Sequence, residues 1–123
     1  MASDLTDLEH AIQTYLDGLY EGDTTKLGSV FHDVSHLFSV TDGKLTDLPR
    51  AQWFEFVRGR KSARDQDLPR NDFIVHIDRS SPTTAFAKVQ CQIPPRYFTD
   101  YLTFAKLSDG WKIVSKTFHT ETR

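Results

Sequence analysis

The sequence predicts an α+β fold in which three helices pack on a strongly curved, mixed but mostly antiparallel sheet, and three observations carry the prediction. The first is the C-terminal stretch YFTDYLTFAKLSDGWKIVSKTFHT. Its two arms, Tyr97–Leu107 and Trp111–Thr120, are rich in the aromatic and β-branched residues that fit a pleated, half-buried surface, and Ser108-Asp109-Gly110 between them supplies turn chemistry. At about 3.3 Å per residue each arm spans roughly 30 Å or more, so the sheet must twist and curl rather than lie flat. The second is a single long amphipathic segment near the N-terminus, the only one able to fill the concave side of such a sheet; a helix held there leaves a pocket beside it. The third is the element order: two helices, two strands, a third helix, then four strands, without internal repeat or low-complexity tract.

Asp4–Tyr20 places Leu5, Leu8, Ile12, Tyr15, Leu16 and Leu19 at helical spacing, with Ser3 as the expected N-cap and acids in the first turn. Glu21-Gly22-Asp23 breaks this helix, and Thr24–Phe31 forms a short second one on Leu27, Val30 and Phe31. Val34–Val40 reads as a strand, Asp42-Gly43 as a hairpin turn and Lys44–Thr46 as its short return. Pro49 suits the first position of a third helix reaching about Arg58, with Asp47 as a candidate cap and Trp53, Phe54 and Val57 as its apolar side. Arg58–Arg70 is nearly devoid of apolar residues and reads as a long loop, a lid or a mobile segment. Asn71–Asp78 and Thr84–Ile93 are strands joined by a turn over Arg79–Pro82. In the second of these Ala85, Ala87, Val89, Cys91 and Ile93 alternate with Lys88, Gln90 and Gln92, so one face is buried and the other polar. Pro94-Pro95 ends it.

With 123 residues, 38% hydrophobic and 12% aromatic, residues 1–123 form one domain able to bury a real core. The net charge of -2 gives no electrostatic reason to expect nucleic acid, and no apolar run is long enough to span a membrane. The start, MASDLTDLEH, lacks the features of a signal peptide, and one cysteine, Cys91, cannot form an internal disulfide; a cytoplasmic protein is expected.

The helix break YLDGLYEGD followed by FHDVSHLF, the WFEFV helix and the ending FTDYLTFAKLSDGWKIVSKTFH resemble, over nearly the whole chain, the nuclear transport factor 2-like superfamily, in particular its bacterial lumazine-binding branch. The resemblance implies a cystatin-like cone. It implies no one activity, since isomerases, dehydratases, polyketide cyclases and transport factors share the fold. Ketosteroid isomerases in that superfamily pair a first-helix tyrosine, seven residues before a Gly-Asp break, with a carboxylate base on the first strand and a protonated acid on the penultimate strand. Tyr15 matches the tyrosine. Counting on without gaps, the base position falls on Ser39 and the second acid position on Thr103, so the isomerase triad is not retained, although a shift of one or two residues brings Asp100 close.

Asp100 is the candidate acid or base: it lies among Phe98, Leu102 and Phe104, where desolvation raises a carboxyl pKa if that face lines a cavity. A rim position, or an ion pair with Arg96, is the competing reading. Tyr15 is its catalytic companion. Tyr15 and Trp53 each carry a polar tip on an aromatic body, which suits a pocket for a flat ligand and equally suits core residues bonded to backbone carbonyls. Phe31, His32, Ser39, Trp53 and His119 complete the expected ligand-binding set. His32, His36 and His119 form no recognised metal-ligand spacing, so neither metal nor other cofactor is expected. Cys91 reads as a small buried hydrophobe, and Arg58, Arg60, Lys61 and Arg64 as either a solvated face or an anion attractor at the cavity mouth.

Two functions compete on this sequence. One is a small-molecule binder for a partly apolar organic ligand, with acid-base chemistry of the isomerase or dehydratase kind; the other is an interaction module working through the outer sheet face. Tyr97, Thr99, Tyr101 and Thr103 alternate with Phe98, Asp100, Leu102 and Phe104, so both faces of that strand carry aromatic groups and the outer one needs cover, which predicts a homodimer.

Overall fold

The computed structural model describes residues 4–123. Its elements are helices α1 (Asp4–Glu21), α2 (Thr24–Val30) and α3 (Arg50–Gly59) and strands β1 (Phe31–Thr41), β2 (Lys44–Pro49), β3 (Phe73–Ser81), β4 (Thr84–Ile93), β5 (Arg96–Leu107) and β6 (Gly110–Thr122). The six strands form one sheet in the order β2-β1-β6-β5-β4-β3, antiparallel throughout except where β1 runs parallel to β6. The α+β class and the mixed, mostly antiparallel sheet are therefore as the sequence predicts. Ser3, the expected cap of α1, lies outside the described residues.

The chain turns out of α1 at Gly22, whose φ of 67° is a left-handed value that a residue with a Cβ rarely adopts. Asp23 then caps α2, its carboxylate accepting from the backbone N–H groups of Thr25 and Lys26. Phe31 leaves the helix and opens β1. The β1–β2 hairpin closes through Asp42 and Gly43, both at positive φ, the signature of a turn whose twist matches the strands. The return strand runs to Pro49, longer than the expected Lys44–Thr46, because Leu48 and Pro49 pair with Leu37 and His36. Pro49 is consequently the N-cap of α3 rather than its first residue, and Asp47 does not cap it: its carboxylate meets His36 Nδ1 at 2.5 Å across the hairpin.

All three helices contact the sheet on one face. The inward residues of β4 (Ala85, Ala87, Val89, Cys91) and β5 (Asp100, Leu102, Phe104) meet Leu8, Ile12, Tyr15, Leu16 and Leu19 of α1, and Trp53, Phe54 and Val57 of α3 close the core over Phe31 and Leu37. Asp4 ties the start of α1 to two strands, accepting from Arg79 and Lys106 at 2.7 Å each.

The segment between α3 and β3 is fastened down rather than an open lid. Ser62 and Ala63 are buried, Arg64 N donates to the Tyr20 carbonyl, Leu68 N donates to that of Ala63, and the Tyr20 hydroxyl reaches the Leu68 carbonyl at 2.8 Å. Its two buried residues are small, which is why hydropathy alone gave no sign of packing.

Candidate functional site

The inward alternation of β5 sets Asp100 at the centre of the sheet, and the apolar stripe of α1 sets Tyr15 over it. Both are fully buried, and the Tyr15 hydroxyl donates to Asp100 Oδ2 at 2.5 Å. Burial, and next the carboxylate beside it, push the Tyr15 phenol well above its ordinary pKa, so it remains an O–H donor. Asp100 thus pairs neither at a rim nor with Arg96. Thr103, reached by gapless counting, faces the other way and bonds Ser115.

A third member of this cluster is Lys116, whose side chain is only 6% exposed and whose Nζ lies 3.8 Å from Asp100 Oδ2. Its ammonium sits 4.8 Å from the centre of the Trp53 ring, 5.0 Å from Phe118 and 5.2 Å from Tyr15. A charge removed from water in this way is held by a carboxylate on one side and π-faces on the others. Cys91 adds a fourth group, its Sγ 3.6 Å from Asp100 Oδ2. Burial first and Asp100 second raise that thiol far above the ordinary cysteine range, so it serves as a weak donor and not as a nucleophile. Asp100 Oδ1 has no hydrogen-bond partner among the described residues.

Beside this cluster opens a cavity of about 410 Å³, walled by Leu19, Leu48, Trp53, Ile93, Phe98 and Phe118. Lys116 forms part of its lining, and Arg60 and Arg96 stand with it, while the lining contains no carboxylate. Among the described residues neither Arg60 nor Arg96 has an ion-pair partner. Burial, and then the neighbouring Arg96, lower the Arg60 pKa. The cavity is an apolar slot lined by three basic side chains and no carboxylate, with Lys116 alone balanced by Asp100 behind the wall.

The residues expected at the site are only partly brought together. Trp53 lines the cavity; Tyr15, Phe31 and Asp100 lie behind its wall as an interlocked set, Phe31 packing on Tyr15 at 5.5 Å and on Trp53 at 5.0 Å between ring centres. Ser39 lies apart from the cavity, in a second depression that it shares with Val40, Leu45 and His119. His119, expected on the pocket wall, is on the opposite face of the sheet, where it pairs with Thr99 and borders a shallow groove with Phe73 and Gln90. His32 is half-exposed at the start of β1, its Nδ1 accepting from Val34 N and its carbonyl from the Ser35 hydroxyl, away from the cavity. Among the described residues no group of three His, Cys, Asp or Glu side chains could hold a metal ion, and no helix is long and apolar enough to cross a membrane.

The family model described as "Putative lumazine-binding" matches residues 3–119. The chain belongs to that family. A solved nuclear transport factor 2-like protein of unknown function from Silicibacter pomeroyi DSS-3 shares the fold, with a TM-score of 0.83 at 20% identity and 95% of each chain covered. A ketosteroid isomerase-like protein from Erwinia carotovora atroseptica SCRI1043 superposes with a TM-score of 0.76 at 12% identity over 100% of both chains, a likeness of fold alone. Other solved structures of this shape are described as cystatin-like. Among curated proteins, "Aldolase FrzH" of Cladobotryum sp is 27% identical over 113 residues, covering 89% of this chain and 85% of the relative.

In this family member the sequence pattern placed Tyr15, Asp100 and Trp53 on inward faces, where they lie, but did not anticipate Lys116, Arg96 at the cavity, or the thiol–carboxylate contact. No alternation on β6 singles out Lys116: counted from Trp111 and Ile113 it falls on the outward face.

Proposed function

We propose that this protein binds a small, partly apolar organic molecule carrying an anionic group, with its flat body between Trp53, Phe98 and Phe118 and its anion toward Arg60 and Arg96. The observation that carries this reading is the cavity of about 410 Å³ with three cations and no carboxylate in its lining. Chemistry in such a slot is acid-base work, with Asp100 as the proton acceptor, Tyr15 as the donor that positions it and Lys116 between them and the ligand. The relative named an aldolase lends support to chemistry on a carbonyl compound, and the family's name makes lumazine, a flat fused heterocycle, the natural first probe.

The test is a melting-temperature screen of lumazine, aromatic monocarboxylates and the neutral amides of the same acids. A ligand present at a hundred times its Kd stabilises the native state by about 2.7 kcal/mol. Carboxylates are expected to raise the melting temperature, their amides to do so far less, and Arg60→Gln to remove the difference. Equal shifts from acid and amide would sink the anionic assignment, and no shift from any of them would sink the binding reading.

A specific observation also favours a homodimer. On the sheet face away from the helices Val40, Leu45, Phe73, Tyr101 and Leu107 are 71%, 68%, 47%, 46% and 43% exposed, an apolar surface that a second copy would cover. Light scattering at high micromolar concentration is expected to give twice the chain mass; a monomer there contradicts the dimer. The unpaired thiol supports a reducing compartment, the cytoplasm.

A further inference from the structure

Resting on the ligand reading above, we infer that Lys116 is a covalent residue: its amine condenses with a ligand carbonyl to form an imine, so that the ligand class narrows to partly apolar aldehydes or ketones that carry an anionic group. Of the chain's seven lysines Lys116 alone is buried, and its amine is at the lining of the cavity rather than in solvent. A base stands next to it, Asp100 Oδ2 at 3.8 Å, backed by the Tyr15 hydroxyl at 2.5 Å. Trp53, Phe118 and Tyr15 enclose the ammonium, which excludes the water that hydrolyses imines. A lysine that only neutralised Asp100 would need no access to a cavity; this one has both.

The step balances with these groups. The Asp100 carboxylate takes one proton from the Lys116 ammonium, and the free amine adds to the carbonyl carbon, its nitrogen proton passing to the carbonyl oxygen to give a neutral carbinolamine. The proton held by Asp100 then goes to the carbinolamine hydroxyl, the C–O bond breaks, water leaves and a protonated imine remains opposite the regenerated carboxylate. Net, an ammonium and a carbonyl become an iminium and one water, with no oxidant or reductant. Arg60 and Arg96 orient the ligand from the cavity mouth by holding its anion.

The experiment uses 4-formylbenzoate, which combines an aryl body, a carboxylate and an aldehyde, with sodium cyanoborohydride to trap the imine, followed by intact mass and peptide mapping; benzoate and benzaldehyde are the controls. Capture is expected at one site, Lys116, with a preference of about a hundredfold over the six other lysines from the proximity the cavity provides. Benzoate is expected to compete, benzaldehyde to label Lys116 weakly, and folded Lys116→Arg to lose the site-specific adduct. Label spread over surface lysines in proportion to exposure overturns the inference. If benzoate raises the melting temperature and yet Lys116 is not captured, the imine falls while the binding reading stands; if benzoate neither binds nor competes and Lys116 is unlabelled, both fall. Mapping is done on the wild-type protein, so the result does not depend on a variant folding.

Discussion

The Asp100–Lys116 pair can be dissected by a double-mutant cycle with Asp100→Asn and Lys116→Met. The two charges are 3.8 Å apart, with residue exposures of 0% for Asp100 and 5% for Lys116. At an effective dielectric of about 20, their attraction is about 4 kcal/mol. Removing either partner alone leaves a buried charge without its counter-charge, which costs about 3–5 kcal/mol. Removing both charges avoids that penalty, so the double variant is expected to be more stable than the sum of the single losses implies, with a coupling energy of about 2–4 kcal/mol. Urea unfolding followed by tryptophan fluorescence measures it, and Trp53, whose ring lies 4.8 Å from the ammonium, reports the site directly. In a domain of this size 1 kcal/mol corresponds to about 4 °C in Tm, so thermal melts should show each single variant at least 10 °C below the wild type. Additivity within about 0.5 kcal/mol would refute the reasoning, because it would mean that the two groups do not depend on each other for burial.

Tyr15→Phe deletes the strongest donor to Asp100 Oδ2 at unchanged ring packing, and should cost about 1.5–3 kcal/mol by urea unfolding; a loss below about 0.5 kcal/mol would show that another donor replaces the hydroxyl. Alkaline stability follows from the raised pKa values of Cys91 and Tyr15. In the unfolded chain the thiol ionises near 8.5 and the phenol near 10, whereas in the folded chain both stay protonated higher, so the unfolded state binds fewer protons and stability falls as pH rises. The decline should begin at about pH 8.5 with a slope of about 1.4 kcal/mol per pH unit and steepen above about pH 10. Cys91→Ala should delay the onset to about pH 10, and an unchanged profile in that variant would remove the thiol from the account.

Much of the fold was legible because its strongest signals are local. The stripe of α1 fixes Tyr15 inward without reference to any other element, and the run Phe98, Asp100, Leu102, Phe104 fixes Asp100 on a buried face, so the Tyr15–Asp100 contact followed once strand and helix met. Less legible were features decided by pairing. β2 extends to Pro49 because β1 offers partners as far as His36, and Asp47 is drawn across the hairpin to His36 instead of forward to α3. The segment after α3 is held by backbone hydrogen bonds and by two small buried side chains, Ser62 and Ala63, which no hydropathy pattern distinguishes from solvent-facing residues.

The missed lysine and the misplaced histidine have one cause. On β6 Trp111 and Ile113 face the core, and strict alternation from them would carry Ser115, Thr117 and His119 inward as well, leaving Lys116 in solvent. The β5–β6 register shifts between Thr103 and Phe104, which pair with Ser115 and Ile113 respectively, so Val114 is an extra residue with no partner. One inserted residue reverses the parity of everything after it. Lys116, Phe118 and Thr120 line the cavity, and Thr117 and His119 do not. A bulge of this kind leaves no mark on composition or periodicity, yet it sets an ammonium beside Asp100 and turns His119 away. The chemistry available to the slot therefore rests on a single backbone irregularity: the same side chains in unbroken register would set the Ser115 hydroxyl where Lys116 stands and leave no amine near the carboxylate.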